Sequence, residues 1–209
     1  MGELLNKLPA AKLQKSTELA LWILLATCCR VGELLQAEWC DIDLKEGRWH
    51  IPVANAKNKK AHTVFLSPFA IKQFEALLEI SGENRWCYPA ENKKDMPIDK
   101  KSISKQVGDR QRQQPMKNRS KAVGTLMMTS GKWSPHDLRR TGATMMGSLG
   151  VRPDIIEKCL NHVEQKKLIR IYQRQELKEE QCQAWLLLGA RLDLLVNAGA
   201  TVVTQPRAA

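Results

Sequence analysis

Apolar side chains fill nearly every position from 19 to 29, leaving no polar face, so a helix there is stable only with protein on all sides. Ser16 or Thr17 is placed to cap it, Glu18 suits its first turn, and Arg30-Val31-Gly32 closes it. A short helix over residues 33–39 then leads to the turn-forming Asp41-Ile42-Asp43. Next, Arg48-Trp49-His50-Ile51-Pro52-Val53 and His62-Thr63-Val64-Phe65-Leu66, separated by a polar stretch, predict a β-hairpin. Ser67-Pro68 opens a helix with Phe69, Ile71, Phe74, Leu77 and Leu78 inward, and Gly82 ends it. Trp86-Cys87-Tyr88-Pro89 reads as a short extended piece and residues 102–112 as a helix. Residues 113–132 read as loop with some helix, Met127-Met128 packing inward.

Ser134 and Pro135 start a helix whose stripe is Leu138, Met145, Met146 and Leu149, with Gly150 as its stop. Pro153 opens the next, turning Ile155, Ile156, Cys159 and Leu160 inward and ending at Asn161-His162. After Tyr172 a last amphipathic helix is expected over residues 176–196, with Ala184, Trp185, Leu188, Leu192, Leu195 and Val196 on one face. Residues 1–15 read as a fraying leader and residues from 199 onward as a disordered tail. The fold class is mainly α with a small antiparallel β-sheet.

The 209 residues contain no 18-residue apolar run and open with no basic stretch before an apolar one, so neither a membrane span nor a secretory signal is expected, and the location is cytoplasmic. Six cysteines without paired spacing indicate neither a disulfide framework nor zinc, and four scattered histidines offer no metal cage. A net charge of +11 points to a polyanionic partner. The excess is local: between residues 91 and 121, ten Lys or Arg face four acids. Lys93, Lys94, Lys100, Lys101, Lys105, Arg110 and Arg112, with Arg140, are the candidate contacts to such a polyanion, the plain alternative being a solvated loop.

On the helix opened by Pro135, His136 and Arg139 are neighbours on one face and can address one phosphate. Arg30, ending a wholly apolar helix, needs an anionic partner or ligand; Glu33 fits a structural pair and a supporting functional role equally. With Lys57 in the hairpin turn, His162 at a helix end and Tyr172 beyond it, these complete the polar groups at element ends.

That order resembles the catalytic domain of the tyrosine recombinases, the phage-integrase family, and most closely integrases of prophages and genomic islands. Cys29-Arg30-Val31-Gly32-Glu33-Leu34-Leu35 is similar to the first arginine box, and Lys57 between Ile51-Pro52 and His62 to the lysine hairpin. His136-Asp137-Leu138-Arg139-Arg140-Thr141 is similar to the second box, and Leu160-Asn161-His162 with Arg170-Ile171-Tyr172 to the third. The family usually has glycine where Asn161 stands; asparagine also tolerates a left-handed helix end.

The resemblance implies DNA strand cleavage through a 3′-phosphotyrosyl intermediate, followed by religation, in integration or excision of a mobile element. It makes Tyr172 the nucleophile, His136 the proton acceptor, His162 a donor to the phosphate and Lys57 the acid for the leaving 5′ oxygen. Arg30 and Arg139, always charged and able to bind bidentately, would neutralise the phosphate without metal or cofactor. It further implies double-stranded DNA as partner, a homo-tetramer on DNA with the last helix docked in trans, and, when free, a monomer with that helix packed in cis or in loose contact. An excisionase and a host DNA-bending protein are the accessory partners it allows. The catalytic domain would span residues 1–175 and a helix with tail residues 176–209, the core-binding and arm-binding domains that family members carry ahead of this region being expected to be absent. Two rivals remain: relaxation of supercoils as in type IB topoisomerases, and a DNA-binding module without catalysis.

Overall fold

The computed structural model describes residues 2–162 and 177–203. Its centre is α2 (Lys15–Thr27), where every side chain from Leu19 to Ala26 is buried. At roughly 1.5–3 kcal/mol for each large apolar side chain removed from water, this uninterrupted run is the strongest local driving force in the chain. Around it pack α4 (Pro68–Ser81), α6 (Pro135–Ser148), α5 (Ser102–Arg110) and the long α8 (Lys178–Val203).

The start of α2 differs from expectation. The Glu18 amide donates to Gln14 O (3.0 Å), so the helix begins at Lys15 and Ser16 and Thr17 fall inside its first turn. It ends at Thr27, and Cys28 takes a left-handed conformation (φ 53°) that turns the chain sharply into α3 (Val31–Leu35). Residues 1–15 are no fraying leader either. Helix α1 (Gly2–Lys7) and a 3₁₀ turn (Pro9–Ala11) bury Leu4, Leu8 and Ala11, and Glu3 accepts bonds from Lys7 and Thr129.

The three-stranded sheet has the order β1 (Ile42–Asp43), β2 (Arg48–Ile51), β3 (His62–Phe65), antiparallel throughout. Trp49 and Ile51 of β2 and Val64 of β3 point into the core, and Trp49 meets Phe74 of α4 edge to face at 5.7 Å. Ser67 caps α4 as its sequence position implies, accepting from the Ala70 amide. A second hairpin, β4 (Pro89–Ala90) with β5 (Lys93–Pro97), occupies part of the basic segment; its polar, exposed residues carry no alternating pattern to betray a strand. Residues 113–132 contain no helix; Met128 packs on the core while Met127 is 40 % exposed.

Ser134 and Asp137 form a reciprocal capping box at the start of α6, and Gly150 (φ 86°) turns the chain toward α7 (Pro153–Cys159). Helix α8 continues to Val203, past the residue where a tail was expected. Its stripe of Ala184, Trp185, Leu188 and Leu192 is at most 1 % exposed, and Trp185 Nε1 donates to Thr27 O (3.1 Å). The face is thus packed in cis, on the chain's own α2 and on Phe65 of β3, the arrangement expected of the chain when free. The seams are close. A Cβ on Gly142 would lie 2.5 Å from Cys28 Sγ and 2.7 Å from Leu25 O, and one on Gly189 would lie 2.2 Å from Ser67 Oγ, so glycine is required at both.

Candidate functional site

The turn between α2 and α3 builds one wall. Arg30 sits just before α3, and Glu33, 2 % exposed, accepts from the Arg30 amide (2.8 Å) and from its guanidinium (2.7 Å). The pair foreseen from sequence is therefore present, and it satisfies a buried carboxylate while holding one edge of the guanidinium. Lys100 approaches the same turn, its side chain lying within reach of Gly32.

Arg139, on the buried side of α6 and 4 % exposed, donates to Cys28 O (2.6 Å) and to Leu160 O (2.5 Å). It thus ties the end of α2 to the end of α7, and the left-handed turn at Cys28 leaves that carbonyl free to accept. Burial first, then the like charge of Arg30, holds the Arg139 pKa below the ordinary guanidinium value, with Glu33 opposing. Two guanidiniums that repel each other, with the buried Glu33 carboxylate offsetting part of that repulsion, leave a net positive charge at this wall.

His136 projects from the first turn of α6 and is exposed. His162 follows α7 with its Nδ1 2.7 Å from Glu157 Oε2, a partner not anticipated from the sequence. It lines a hollow of about 470 Å³ with His50, Lys60, His62, Asn161 and Gln181. Of the hairpin lysines, Lys60 lines this hollow, whereas Lys57 is an exposed tip residue outside its lining. Burial pushes the His62 pKa down to about 4, Glu33 opposing and Arg30 and Arg139 adding to the fall, which favours the neutral imidazole. Tyr172 lies outside the described residues, as do Arg170 and Ile171.

The basic segment divides. Lys93, Lys94, Lys100, Lys101 and Lys105 are exposed, with Lys105 near Asp99 (3.8 Å). Arg112 pairs with Asp109 and Arg140 with Asp137, both remaining partly open to solvent. Arg110 is a correction. It is 7 % exposed and donates to Ala11 O, Lys12 O and Gln106 O, so it straps the N-terminal segment to α5 and has no free face for DNA. Among the described residues, no group of three or more His, Cys, Asp or Glu could hold a metal ion, no helix is long and apolar enough to cross a membrane, and all six cysteines are free.

The phage integrase family model matches residues 1–179. The chain belongs to the phage integrase family. It is 27 % identical over 209 residues to the prophage integrase IntA of Escherichia coli strain K12, covering 98 % of this chain and 45 % of that protein. It therefore spans less than half of that relative's length. XerA recombinase superposes with a TM-score of 0.59 at 18 % identity, covering 98 % of this chain and 62 % of that one. The integrase of mycobacterium phage Brujita gives 0.57 at 17 % identity, covering 88 % and 56 %. A lambda integrase (75-356) dimer bound to a COC′ core site gives 0.58 at 17 %, covering 83 % and 57 %. The expected fold class is thus borne out: this integrase-family chain has the fold of those recombinases.

Proposed function

We propose that this integrase-family chain is the strand-cleaving and religating part of a site-specific recombinase acting on double-stranded DNA, in integration or excision of a prophage or mobile element. The observation that carries the reading is that Arg30 and Arg139 feel each other's charge while each is held in place, one by Glu33 and the other by Cys28 O and Leu160 O. In-line attack on a phosphodiester gathers negative charge on the non-bridging oxygens, and two positioned guanidiniums neutralise it without reorganising during the reaction. Tyr172 serves as nucleophile, and because a tyrosine hydroxyl has an ordinary pKa of about 10, His136 takes its proton. His162, oriented by Glu157, donates to the phosphate. A hairpin lysine protonates the leaving 5′ oxygen: Lys57 on the resemblance, with Lys60 favoured by its place in the hollow beside His162. The tyrosyl link conserves the phosphodiester, so a second 5′ hydroxyl reseals the strand without ATP. The exposed lysines of 93–105 and Arg112 and Arg140 hold the DNA backbone, and the reaction proceeds on a DNA-bound tetramer in the cytoplasm.

The test is covalent trapping on a nicked suicide DNA duplex. The parent chain is expected to give a protein–DNA adduct resistant to denaturation, and Tyr172→Phe to give none while retaining DNA binding. An adduct that persists in Tyr172→Phe overturns the reading.

A further inference from the structure

The α7 end and the lysine hairpin are joined by a set of bonds that neither segment's own folding requires. Asn161 adopts a left-handed conformation (φ 47°), its amide donating to Lys158 O and the following His162 amide to Glu157 O, which ends α7. Its side chain is spent across the gap. Nδ2 lies 2.8 Å from His62 Nδ1, 3.0 Å from Lys60 O and 3.3 Å from Asn58 Oδ1. In return Asn58 Nδ2 donates to Asn161 O (2.8 Å) and Oδ1 (3.1 Å). Asn58 Oδ1 also accepts from the Lys60 amide (3.1 Å), an Asx-type turn that shapes the tip between the lysines. A neutral His62 completes the set, since its Nδ1 can then accept from Asn161 and its remaining proton sits on Nε2.

We infer that Asn161 is a positioning residue: its reciprocal amide pair with Asn58 clamps the lysine hairpin to the turn that presents His162, so that lysine and histidine address one phosphate in fixed register. This rests on the recombinase reading of the site. Without the clamp the start of the hairpin turn is still held, by Asn55 Nδ2 donating to Gln36 O (2.8 Å), but the stretch beyond Ala56 keeps local turn bonds such as Lys59 N to Ala56 O. An acid displaced by an ångström loses much of its effect, which sets the expected size.

Asn161→Gly tests this, because glycine keeps the left-handed backbone and removes only the amide. Asn58→Ala removes the partner without touching α7. Cleavage of the suicide duplex is expected to fall by roughly 10- to 100-fold in both. On a duplex with sulfur as the 5′ bridging atom at the scissile phosphate, whose thiolate leaves without a proton, both variants should return nearly to the parental rate. Lys57→Ala and Lys60→Ala serve as references for the acid itself. Backbone amide exchange at residues 57–61 should also quicken in Asn161→Gly with the unfolding midpoint unchanged. If a lysine variant is rescued by sulfur but Asn161→Gly is not, or if Asn161→Gly cleaves like the parent, the clamp is refuted and the acid role stands. If neither lysine variant is rescued, the hairpin holds no acid, and the acid role and the clamp fall together.

Discussion

Replacing Trp185 by alanine probes how firmly the last helix is held on its own domain. The indole is fully buried, tilted on Phe65 at 6.0 Å between ring centres, and its Nε1 donates to Thr27 O. Truncating a buried tryptophan costs about 3–5 kcal/mol through lost transfer energy and the cavity left behind. The orphaned Thr27 carbonyl, at the end of the central helix, adds about 1–3 kcal/mol unless water reaches it. A loss near 4 kcal/mol displaces the melting midpoint by roughly 8–16 °C in a chain of this size. Leu187→Ala is the control: 45 % exposed on the same helix, it should change stability by no more than about 0.5 kcal/mol. Melting curves recorded over a hundredfold range of protein concentration complete the assay, since a face covered by a second copy would make the midpoint rise with concentration. A Trp185→Ala shift below about 1 kcal/mol, or a concentration-dependent parent midpoint, would refute packing of this helix on its own domain.

Gly142→Ala should destabilise the chain by about 1–3 kcal/mol and also slow suicide-duplex cleavage, because the new methyl meets Leu25 O and Cys28 Sγ in the seam where Arg139 grips Cys28 O; a fully stable, fully active variant would show that α6 is free to shift. His62 titrates near 4 when folded and about 6.5 when unfolded, so the unfolded chain binds the extra proton between those values. Stability from this group is complete above about pH 6.5 and declines as pH falls toward 4; urea midpoints should follow that slope, and His62→Gln should flatten it. Lys93→Ala with Lys94→Ala should weaken DNA binding and reduce the slope of log K against log salt by about 1.8, whereas Arg110→Ala should lower the melting midpoint and leave the salt slope unchanged. Equal salt slopes for all these variants would mean that β5 does not touch the phosphates.

Local rules determined most elements directly. The unbroken apolar run of α2, the Ser67-Pro68 and Ser134-Pro135 helix starts and the alternation of β2 and β3 each act over a few residues, so each is legible without the rest of the chain. Six candidate residues could likewise be picked out by their places at element ends, and five of them fall within the described residues. The Arg30–Glu33 pair needed only a three-residue spacing. What only the tertiary structure decided was which partner satisfies each group. Arg110 belongs to a basic run yet is consumed by carbonyls of residues 11 and 12, nearly a hundred positions earlier, because a buried guanidinium takes the nearest unsatisfied acceptors whatever their distance in sequence. The amphipathic stripe of α8 declares that it must be covered, but hydrophobic burial is non-directional, and only the assembled chain shows that its own α2 and sheet cover it. The Asn58–Asn161 pair is of the same kind: two amides unremarkable in their own segments, joined across 103 positions by the fold that brings a hairpin to the end of a helix.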